Sequence, residues 1–484
     1  MPLKTGRRKA GIAIAACAAV LLAGAAGATA WHAAGDNGKP VGTWHDAPAG
    51  ARTPVAADQR LGDGQVAEPD AGGAPANGKV QPRTPAPTPT TSAAATDPRT
   101  EKATVAAPQP GTPERPIESE SASGRQPVGE LLRVNKLLSY LGGKPAKETF
   151  RYPGASYVKL HFSRMALLPG DYVTVTDADG TESYRYEATK TAADSDRWAM
   201  SVTGDTAVVE VHRGASDQLG LGTLTGGHGV DVDRVARGFS RTEQARVPEK
   251  LLNPPGRTGR EESVCGSDTS ADAVCYKSSD PVAYTKSKAI ARLLINGTEL
   301  CTGWRVGPQN RMLTNNHCFT SSAEAYNTEV WFNYQCAKCG GYDVYQPTKV
   351  WGSQVVATDR TYDFTLFSVD KFAAIQKFGY LTLDTKRPAK NQELYVPQHP
   401  AGEPTRIAGS LGEKASNCAV VNPGYDGYAT GSDVAYYCDT EGGSSGSPVL
   451  SRSTNKVVAL HHFGGCPNSG VRADLLAAKL AKYL

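Results

Sequence analysis

Residues 157–162 alternate between apolar and polar side chains, with Val158, Leu160 and Phe162 at every second position. A period of two is typical of a β-strand that buries one face. Similar short runs, separated by turn-forming residues, predict further strands at 172–175, 184–186 and 207–211. We therefore expect residues 127–215 to form a small β-sandwich.

The apolar residues at the start of this region have a different spacing, which favours one face of a helix. They are Leu131, Leu132, Val134, Leu137, Leu138 and Leu141. Gly142 and Gly143 follow at once and would end a helix. The sequence thus predicts a helix over 131–141, ahead of the strands.

Two carboxylates, Asp177 and Asp179, lie beside Gly180 between two of the predicted strands. Carboxylate oxygens could coordinate calcium, whereas Asp and Gly are also the residues that form tight turns. We favour a hairpin turn over a calcium site.

The C-terminal part of the chain is rich in short apolar runs that predict strands. They lie at 289–295, 329–334, 364–369, 449–450 and 457–460. A final helix is predicted at 475–483, with Asp474 as its N-cap. Many short strands with one terminal helix indicate a closed all-β architecture for a domain of residues 263–484.

Two stretches contain little that could form a core. Residues 31–126 are rich in Ala, Pro, Thr and Gly, and residues 216–262 are rich in Gly, Arg and Glu. Such compositions bury too little apolar surface to offset the entropy lost on ordering. We expect a disordered segment at 31–126 and an exposed linker, open to proteolysis, at 216–262.

The N-terminus has the pattern of an export signal. Basic residues precede an Ala-rich apolar run over 10–30, which ends in small residues. An uncleaved membrane anchor is the alternative, since the run is about long enough to span a bilayer. Alanine is only weakly hydrophobic, so we favour a cleaved signal peptide at 1–30 and a secreted, extracellular protein.

Length indicates the number of domains, and net charge bears on the kinds of binding partner. The chain has 484 residues, enough for two or three domains, and a net charge of only +4. Because the charge is spread along the whole chain, it gives no support for nucleic-acid or acidic-membrane binding.

Cysteine usage agrees with export. Cys17 lies in the signal, and the remaining nine of the ten cysteines lie between Cys265 and Cys466. Clustering in one exported domain favours disulfides. Cys336 and Cys339 have the two-residue gap of a zinc or redox pair, but no second pair follows, so we expect no metal and no cofactor.

The segment 439–448 carries the strongest chemical signal. A serine hydroxyl is a good nucleophile only when a base removes its proton and donors stabilise the oxyanion. Gly443 and Gly446 allow a tight turn that exposes the Ser445 hydroxyl and lets the amides of Gly443 and Ser445 point at one oxyanion hole. Such a run could also be a flexible linker, but strand-like sequence follows it immediately.

A base and an orienting carboxylate for Ser445 are also present. His317 ends an apolar run beside Cys318, which could pin its loop, and Asp363 opens the apolar run 364–369. Each has an ordinary structural reading when taken alone. Together, the order His, Asp, Ser points to a triad in which Asp363 fixes the imidazole tautomer and His317 activates Ser445.

With these motifs, residues 265–484 resemble the chymotrypsin-clan serine proteases, and most of all bacterial lysyl endopeptidases and related secreted glutamyl endopeptidases. The motifs are Cys301-Thr-Gly, Leu313-Thr-Asn-Asn-His-Cys318, Trp331-Phe-Asn-Tyr-Gln-Cys336, Asp363-Phe-Thr-Leu and Gly443-Ser-Ser-Gly-Ser-Pro448. The resemblance implies two six-stranded β-barrels with the triad between them. It also implies a monomer that hydrolyses proteins or peptides through an acyl-enzyme.

The resemblance bears on activation as well. In the animal digestive members an aspartate precedes the nucleophile and pairs with the freed N-terminal amine, whereas this chain has Ser444 there. We therefore expect the chain's own pro-region to act by covering or templating the protease. Residues 127–215 resemble β-sandwich pro-domains, and cleavage after Arg257 or Arg260 would release them; an accessory domain that is retained is the alternative.

The resemblance also implies a disulfide scheme. Cys301 would pair with Cys318, Cys265 with Cys466, and Cys418 with Cys438. Cys275 would pair with either Cys336 or Cys339, which leaves the other as a free thiol.

The substrate pocket has two readings by resemblance. Asp439 lies six residues before Ser445, where trypsin-like enzymes place a carboxylate that binds Lys or Arg, and the strand from His461 to Gly464 would form a wall. Thr440 and His461 lie where glutamyl endopeptidases bind a substrate carboxylate, and Asp439 could instead point away. A fixed charge is the stronger selector, so we favour cleavage after Lys or Arg over cleavage after Glu.

The alternative from a different class of function is a non-catalytic protein that binds a surface glycan or a host partner. A damaged triad would favour it, but all three residue types are present. The predicted sandwich also has no row of aromatic residues for sugar stacking. We keep this reading only for residues 127–215.

Overall fold

The structure is a computed structural model, which describes residues 40–43, 115–117, 124–139, 146–188, 196–214, 228–247, 264–409 and 418–484. The predicted signal peptide and the predicted cleavage sites, Arg257 and Arg260, lie outside these residues. No helix within these ranges is long and apolar enough to cross a membrane.

The first part of the described chain is built from strands and one short helix. They are β1 (Pro40–Thr43), β2 (Arg115–Ile117), β3 (Gln126–Pro127), β4 (Gly129–Ser139), β5 (Lys147–Arg151), β6 (Tyr157–Ala166), β7 (Tyr172–Thr176), β8 (Ser183–Glu187), β9 (Arg197–Trp198), β10 (Val202–Thr203), β11 (Thr206–His212), β12 (Gly229–Gly238) and α1 (Arg241–Gln244). One sheet has the order β10-β6-β12-β4-β2, with β9 also on β6, and the other has the order β5-β11-β7-β8. Their apolar faces share one core, so this part is a β-sandwich.

The predicted helix at 131–141 is wrong, because Gly129–Ser139 is a strand. Leu132, Val134 and Leu138 are buried in the sandwich core, whereas Leu137 is 54% exposed. The three buried residues are two and four positions apart and so lie on one face of the strand. This strand pairs with both β12 and β2. These partners are remote in the chain, so local spacing could not reveal them.

The predicted end of the sandwich at residue 215 is also wrong. β12 lies in the range predicted as linker, yet it is hydrogen-bonded to β4 on one side and β6 on the other. The sequence does carry the signal, because Val230 and Val232 are buried and alternate with Asp231 and Asp233. β1 and β2 likewise lie in the range predicted as disordered, most of which is outside the described residues.

Asp177 closes the turn between β7 and β8. Its Oδ1 accepts a hydrogen bond from the Glu182 amide at 3.1 Å, and its Oδ2 accepts one from the Thr181 hydroxyl at 2.6 Å. The two strands are antiparallel neighbours, so the segment is the hairpin turn favoured from the sequence.

The rest of the chain forms strands with short connecting helices. The strands are β13 (Ala271–Asp272), β14 (Ile290–Ile295), β15 (Glu299–Arg305), β16 (Met312–Thr314), β17 (Thr328–Phe332), β18 (Asp343–Tyr345), β19 (Thr348–Asp359), β20 (Phe364–Val369), β21 (Leu394–Gln398), β22 (Arg406–Ala408), β23 (Val420–Tyr425), β24 (Asp433–Tyr436), β25 (Pro448–Ser451), β26 (Val457–Phe463) and β27 (Asn468–Arg472). The α-helices are α2 (Tyr276–Ser279), α3 (Pro281–Ser287), α4 (Ser322–Tyr326), α5 (Phe372–Ile375) and α6 (Ala473–Leu480).

These strands close into two barrels. The first has the order β14-β17-β19-β20-β16-β15 and closes through pairing of β14 with β15; β3 adds to its edge at β15. The second has the order β21-β25-β26-β27-β24-β23 and closes where the Leu394 amide donates to the Cys418 carbonyl at 2.8 Å. The predicted all-β fold is confirmed.

The predicted C-terminal helix is present, but its cap is different. The N-cap position is Arg472, and it makes no side-chain capping hydrogen bond. Asp474 lies in the first turn, where its carboxylate accepts hydrogen bonds from the Arg472 guanidinium at 3.0 and 2.5 Å. The acidic residue still sits at the positive end of the helix dipole.

Four disulfides cross-link the second part of the chain. They join Cys265 to Cys466, Cys275 to Cys339, Cys301 to Cys318 and Cys418 to Cys438. These are the pairs that the resemblance implied, with Cys339 rather than Cys336 as the partner of Cys275. Cys336 is a buried free thiol, so the two-residue pair does not offer two thiolates to a metal.

Candidate active site

His317 and Asp363 are held together by two hydrogen bonds. The imidazole Nδ1 lies 2.8 Å from Asp363 Oδ2, and the His317 amide donates to Asp363 Oδ1 at 3.0 Å. His317 follows β16 at a loop that the Cys301–Cys318 disulfide ties to β15, and Asp363 immediately precedes β20. The two strands pair directly, which brings residues remote in the chain into contact.

Asp363 stays ionised in this setting. It is 1% exposed, and burial by itself raises the pKa of a carboxyl group. The charges and hydrogen bonds of His317 and His462 outweigh burial and lower the pKa of Asp363. The carboxylate can therefore hold the proton on His317 Nδ1 and leave Nε2 as the basic nitrogen.

A second imidazole contacts the same carboxylate. His462 Nδ1 lies 3.1 Å from Asp363 Oδ2, and His462 Nε2 lies 2.7 Å from Asp433 Oδ2. Asp433 Oδ2 also accepts a hydrogen bond from the Ser469 hydroxyl at 2.9 Å. Burial lowers the pKa of His462, but the two carboxylates outweigh it and raise the pKa to about 9.

His462 and Asp433 are functional candidates that sequence reasoning missed. The strand containing His461 was predicted to line the pocket, but successive residues of a strand point to opposite faces. In β26, His461 contacts Tyr436 whereas His462 contacts Asp363. The alternation along the strand could have suggested that one imidazole faces the pocket and the other faces the carboxylate of the triad.

The loop that carries Ser445, here called the nucleophile loop (residues 439–446), is fixed to both barrels. The Thr302 amide donates to the Ser445 carbonyl at 2.8 Å, and the Thr302 hydroxyl donates to the Gly443 carbonyl at 2.9 Å. On the other side, the Gly446 amide donates to the His461 carbonyl at 2.9 Å. Ser445 itself is half-buried.

Gly443 has a backbone conformation that requires glycine. Its φ is +97°, and a Cβ there would lie 2.5 Å from Leu300 Cδ2 and 2.9 Å from the His399 carbonyl oxygen. A side chain would therefore clash as well as strain the backbone. The position keeps the main chain close to Leu300 and His399, beside the serine.

Thr302 links the nucleophile loop to the histidine. It follows Cys301, whose sulfur is bonded to Cys318 next to His317, and these sulfurs lie within 4.8 Å of a ring nitrogen of His317. Because the two sulfurs are bonded to each other in the disulfide, they cannot bind a metal as thiolates. His317 Nε2 is buried and has no hydrogen-bond partner among the described residues.

The Asp439 carboxylate is bound by the segment before β13. Its Oδ2 accepts hydrogen bonds from the Thr269 amide at 2.9 Å and the Thr269 hydroxyl at 2.6 Å, and its Oδ1 accepts one from the Cys265 amide at 3.3 Å. The side chain is 5% exposed. The carboxylate thus accepts three hydrogen bonds from donors of the chain itself, two of them at Oδ2.

The other residues predicted to line the substrate pocket are Thr440, His461 and Gly464. Thr440 Oγ1 is buried and makes no hydrogen bond with the described residues. His461 Nδ1 lies 2.8 Å from the Tyr436 hydroxyl; burial, followed by the charges of His462 and His317, lowers the pKa of His461 to about 3. Gly464 directly follows β26 and is half-buried.

Comparison with known proteins identifies the class of the second part of the chain. Residues 301–460 match the family model of the trypsin-like peptidase domain. The structure titled "Structure of Glu endopeptidase in complex with MPD" is similar at 18% identity and a TM-score of 0.33, covering 46% of this chain and 98% of that one. The two-barrel part is a trypsin-like peptidase domain.

Two relatives are similar to this chain in sequence, and one of them shows the family to which the chain belongs. "Secreted RxLR effector protein 73" of Plasmopara viticola is 34% identical over 332 residues, which cover 66% of this chain and 77% of the relative. The chain belongs to the same family as that protein. "Uncharacterized protein y4fB" of Sinorhizobium fredii is 27% identical over 192 residues, covering 37% of this chain and 28% of that protein.

Proposed function

We propose that this protein is a serine endopeptidase in which Ser445 is the nucleophile, His317 the general base and Asp363 the residue that orients His317. The observation that carries the proposal is the 2.8 Å contact between His317 Nδ1 and an ionised, buried Asp363. It leaves Nε2 buried and without a hydrogen-bond partner among the described residues, and so open to act as a base. That nitrogen can take the Ser445 proton during attack and return it to the leaving amine.

The amides of Gly443 and Ser445 would stabilise the oxyanion. The carbonyls of both residues accept hydrogen bonds from Thr302, so the intervening backbone is fixed before substrate binds. Preorganised donors of this kind contribute because they need no reorganisation as charge develops on the carbonyl oxygen. The acyl-enzyme formed on Ser445 would then be released by water through the same base and donors.

For substrate choice we propose cleavage after Glu, in place of the Lys or Arg preference favoured from the sequence. A carboxylate that already accepts three hydrogen bonds from Cys265 and Thr269 keeps about one of its four acceptor positions for a basic side chain. Thr440 instead offers a buried hydroxyl that makes no hydrogen bond within the part of the chain that the structure describes. Asp439 would then be a structural residue of the loop.

His461 supplies the second donor in this proposal. If the Tyr436 hydroxyl donates to His461 Nδ1, the ring proton lies on Nε2, which can donate to a substrate carboxylate. An arriving carboxylate would also favour the charged imidazole, so the pairing strengthens when Glu binds. A neutral glutamine would gain only the weaker hydrogen bond.

We also propose that the protein acts outside the cell. Three observations support this location: the signal-like N-terminus, the four disulfides and the membership of a secreted effector protein in the same family. Proteins and peptides would be its substrates.

The test of activity compares Ser445→Ala with Ser453→Ala, an exposed serine of the same barrel. We expect the first change to lower turnover of a protein substrate by about 10^6 and to abolish labelling by an organophosphate. Ser453→Ala should behave as the wild type. Cleavage at the wild-type rate by Ser445→Ala would exclude the proposed nucleophile.

The test of specificity uses peptides that differ only in the residue before the scissile bond. The Glu peptide should be cleaved faster than the Gln, Lys and Arg peptides, and His461→Ala should remove most of this advantage. If the Lys or Arg peptide is cleaved fastest and Asp439→Asn abolishes that preference, the original Lys/Arg expectation is correct.

A further inference from the structure

The sandwich is joined to the first barrel by continuous main-chain hydrogen bonding. Gln126 and Pro127 pair with Leu300 and Glu299 at the edge of β15. The next residue, Val128, donates its amide to the Thr298 carbonyl at 2.8 Å. Its own carbonyl accepts from the Phe239 amide at 2.9 Å, at the end of the sandwich strand β12. The short segment 126–128 thus belongs to both domains.

Two reciprocal ion pairs are buried between the domains. Lys159 of the sandwich lies 2.5 Å from Glu329 of the barrel, and their side chains are 1% and 0% exposed. Lys349 of the barrel lies 2.6 Å from Glu182 of the sandwich. The Ser201 amide adds a hydrogen bond to Glu329 at 3.0 Å. Separation would leave one cation and one anion on each domain without these partners, which is costly for groups placed in a dry setting.

An apolar cluster completes this interface. Val128 and Tyr157 of the sandwich pack with Leu294, Leu300, Trp331, Tyr334 and Val344 of the barrel. The Tyr157 and Trp331 rings meet edge to face with centroids 5.8 Å apart, and the Tyr157 hydroxyl donates to the Gly297 carbonyl at 2.8 Å. Removal of the sandwich would expose a large aromatic surface to water.

The same cluster is connected to the nucleophile loop by two routes, one direct and one through the neighbouring residues 401–402. Leu300 packs on the Cα of Gly443, as the 2.5 Å distance from its Cδ2 to a Cβ placed there shows. Val128 packs on Gly402 in the same way, with its Cγ1 at 2.9 Å from a placed Cβ. Beside Gly402, the Ala401 amide donates to the Gly442 carbonyl at 2.7 Å. The cluster thus supports the Gly442–Gly443 backbone by two routes: Leu300 contacts Gly443 directly, and Val128 acts on Gly442 through Gly402 and Ala401.

We propose that the sandwich is a permanent part of the enzyme: it stays bound after the linker is cut, and Val128 positions the Gly442–Gly443 backbone for catalysis. The half-buried state of Ser445 with the sandwich in place agrees with support rather than blockade. This role differs from that of a pro-domain released on maturation. The kinetic part of the inference rests on the proposed peptidase activity, whereas the binding part does not.

The first experiment tests retention. The full chain is given a site-specific protease sequence within 248–263, is cut there, and is run on gel filtration under native conditions. We expect both fragments to elute together, and Glu329→Gln to weaken this association because it removes the buried anion that Lys159 contacts. Separate elution of the wild-type fragments would overturn the proposal.

The second experiment tests positioning and uses two equal truncations. Val128→Ala removes the contact with Gly402, whereas Val134→Ala shortens a valine of the sandwich's own core. We expect Val128→Ala to lower kcat about tenfold with little change in KM, a smaller loss than the roughly 10²–10³ that removal of a whole oxyanion donor costs. Val134→Ala should leave kcat unchanged.

Hydrogen exchange gives a readout that needs no activity. Amides of residues 442–446 should exchange faster in Val128→Ala than in the wild type and in Val134→Ala. Equal exchange in all three proteins would refute the positioning role, even if the cut fragments stay together. Faster exchange in a protein without peptidase activity would uphold the positioning role and contradict the proposed function instead.

Discussion

His462 Nδ1 lies 3.1 Å from the carboxylate oxygen of Asp363 that also accepts the hydrogen bond from His317 Nδ1. With Asp433 on its far side, His462 is a buried imidazolium between two carboxylates. The charge of His462 in turn contributes to lowering the pKa of the neighbouring His461, and the ring of Tyr428 packs edge-on against His462 with its centroid 5.9 Å away. The carboxylate of the proposed triad is thus held from both sides by imidazoles.

The first prediction concerns stability against pH. The unfolded-state pKa of His462 is near the ordinary 6.5, and the folded-state pKa is raised to about 9. The bound proton therefore stabilises the fold fully below about pH 6.5, and this contribution is lost as pH rises through about 9. The two-and-a-half-unit difference corresponds to about 3 kcal/mol.

Urea unfolding of the wild type and of His462→Gln checks this. The difference between their free energies of unfolding should be larger at pH 6 than at pH 10. A difference that is the same at both pH values would show that His462 is not charged in the folded protein.

The second prediction concerns Asp363→Asn. The variant should keep its fold but lose about 10^4 in kcat, because an amide at this place favours the wrong tautomer of His317. Single-turnover kinetics with an activated ester, compared with the wild type, would measure the loss. A loss below tenfold would mean that Asp363 does not orient the base.

The third prediction concerns the Tyr436 hydroxyl. In Tyr436→Phe, His461 Nδ1 loses its contact at 2.8 Å and the ring proton can move to that nitrogen. The ratio of kcat/KM for Glu over Gln peptides should then fall by about tenfold, while cleavage of the Gln peptide changes little. An unchanged ratio would argue that His461 does not read the substrate carboxylate.

The fourth prediction separates a disulfide's effect on stability from its effect on the site. Replacing both cysteines of Cys301–Cys318 by serine should cost about 2–5 kcal/mol of stability and also lower kcat, because the loop of His317 is released. Replacing both cysteines of Cys275–Cys339, which closes a longer loop of sequence separation 64, should cost at least as much stability.

The Cys275–Cys339 variant is the control for this prediction, since it should leave kcat near the wild-type value. Calorimetry and peptide hydrolysis would measure the two quantities. Equal losses of kcat in both variants would indicate a general loss of folded enzyme rather than a local effect on His317.

The local features of this protein could be predicted from its sequence. The glycines around Ser445, followed directly by strand-like sequence, indicate a tight turn, and the alternation at 157–162 indicates a strand that buries one face. The all-β fold followed from such runs, because strand periodicity is visible over a few residues. The motifs around His317, Asp363 and Ser445 and the spacing of the cysteines resembled a known protease family. This resemblance implied the two-barrel fold and the disulfide scheme.

The tertiary structure alone decided which groups meet. Leu132 and Val134 lie in a strand rather than a helix because β2 and β12 supply partners from distant parts of the chain. Asp439 turns to Thr269, and His462 reaches Asp433, only because the folded barrels bring those donors and acceptors within hydrogen-bond distance. Local alternation can assign a side chain to one face of a strand, but the groups that it meets there come from other parts of the chain, and local spacing does not reveal them.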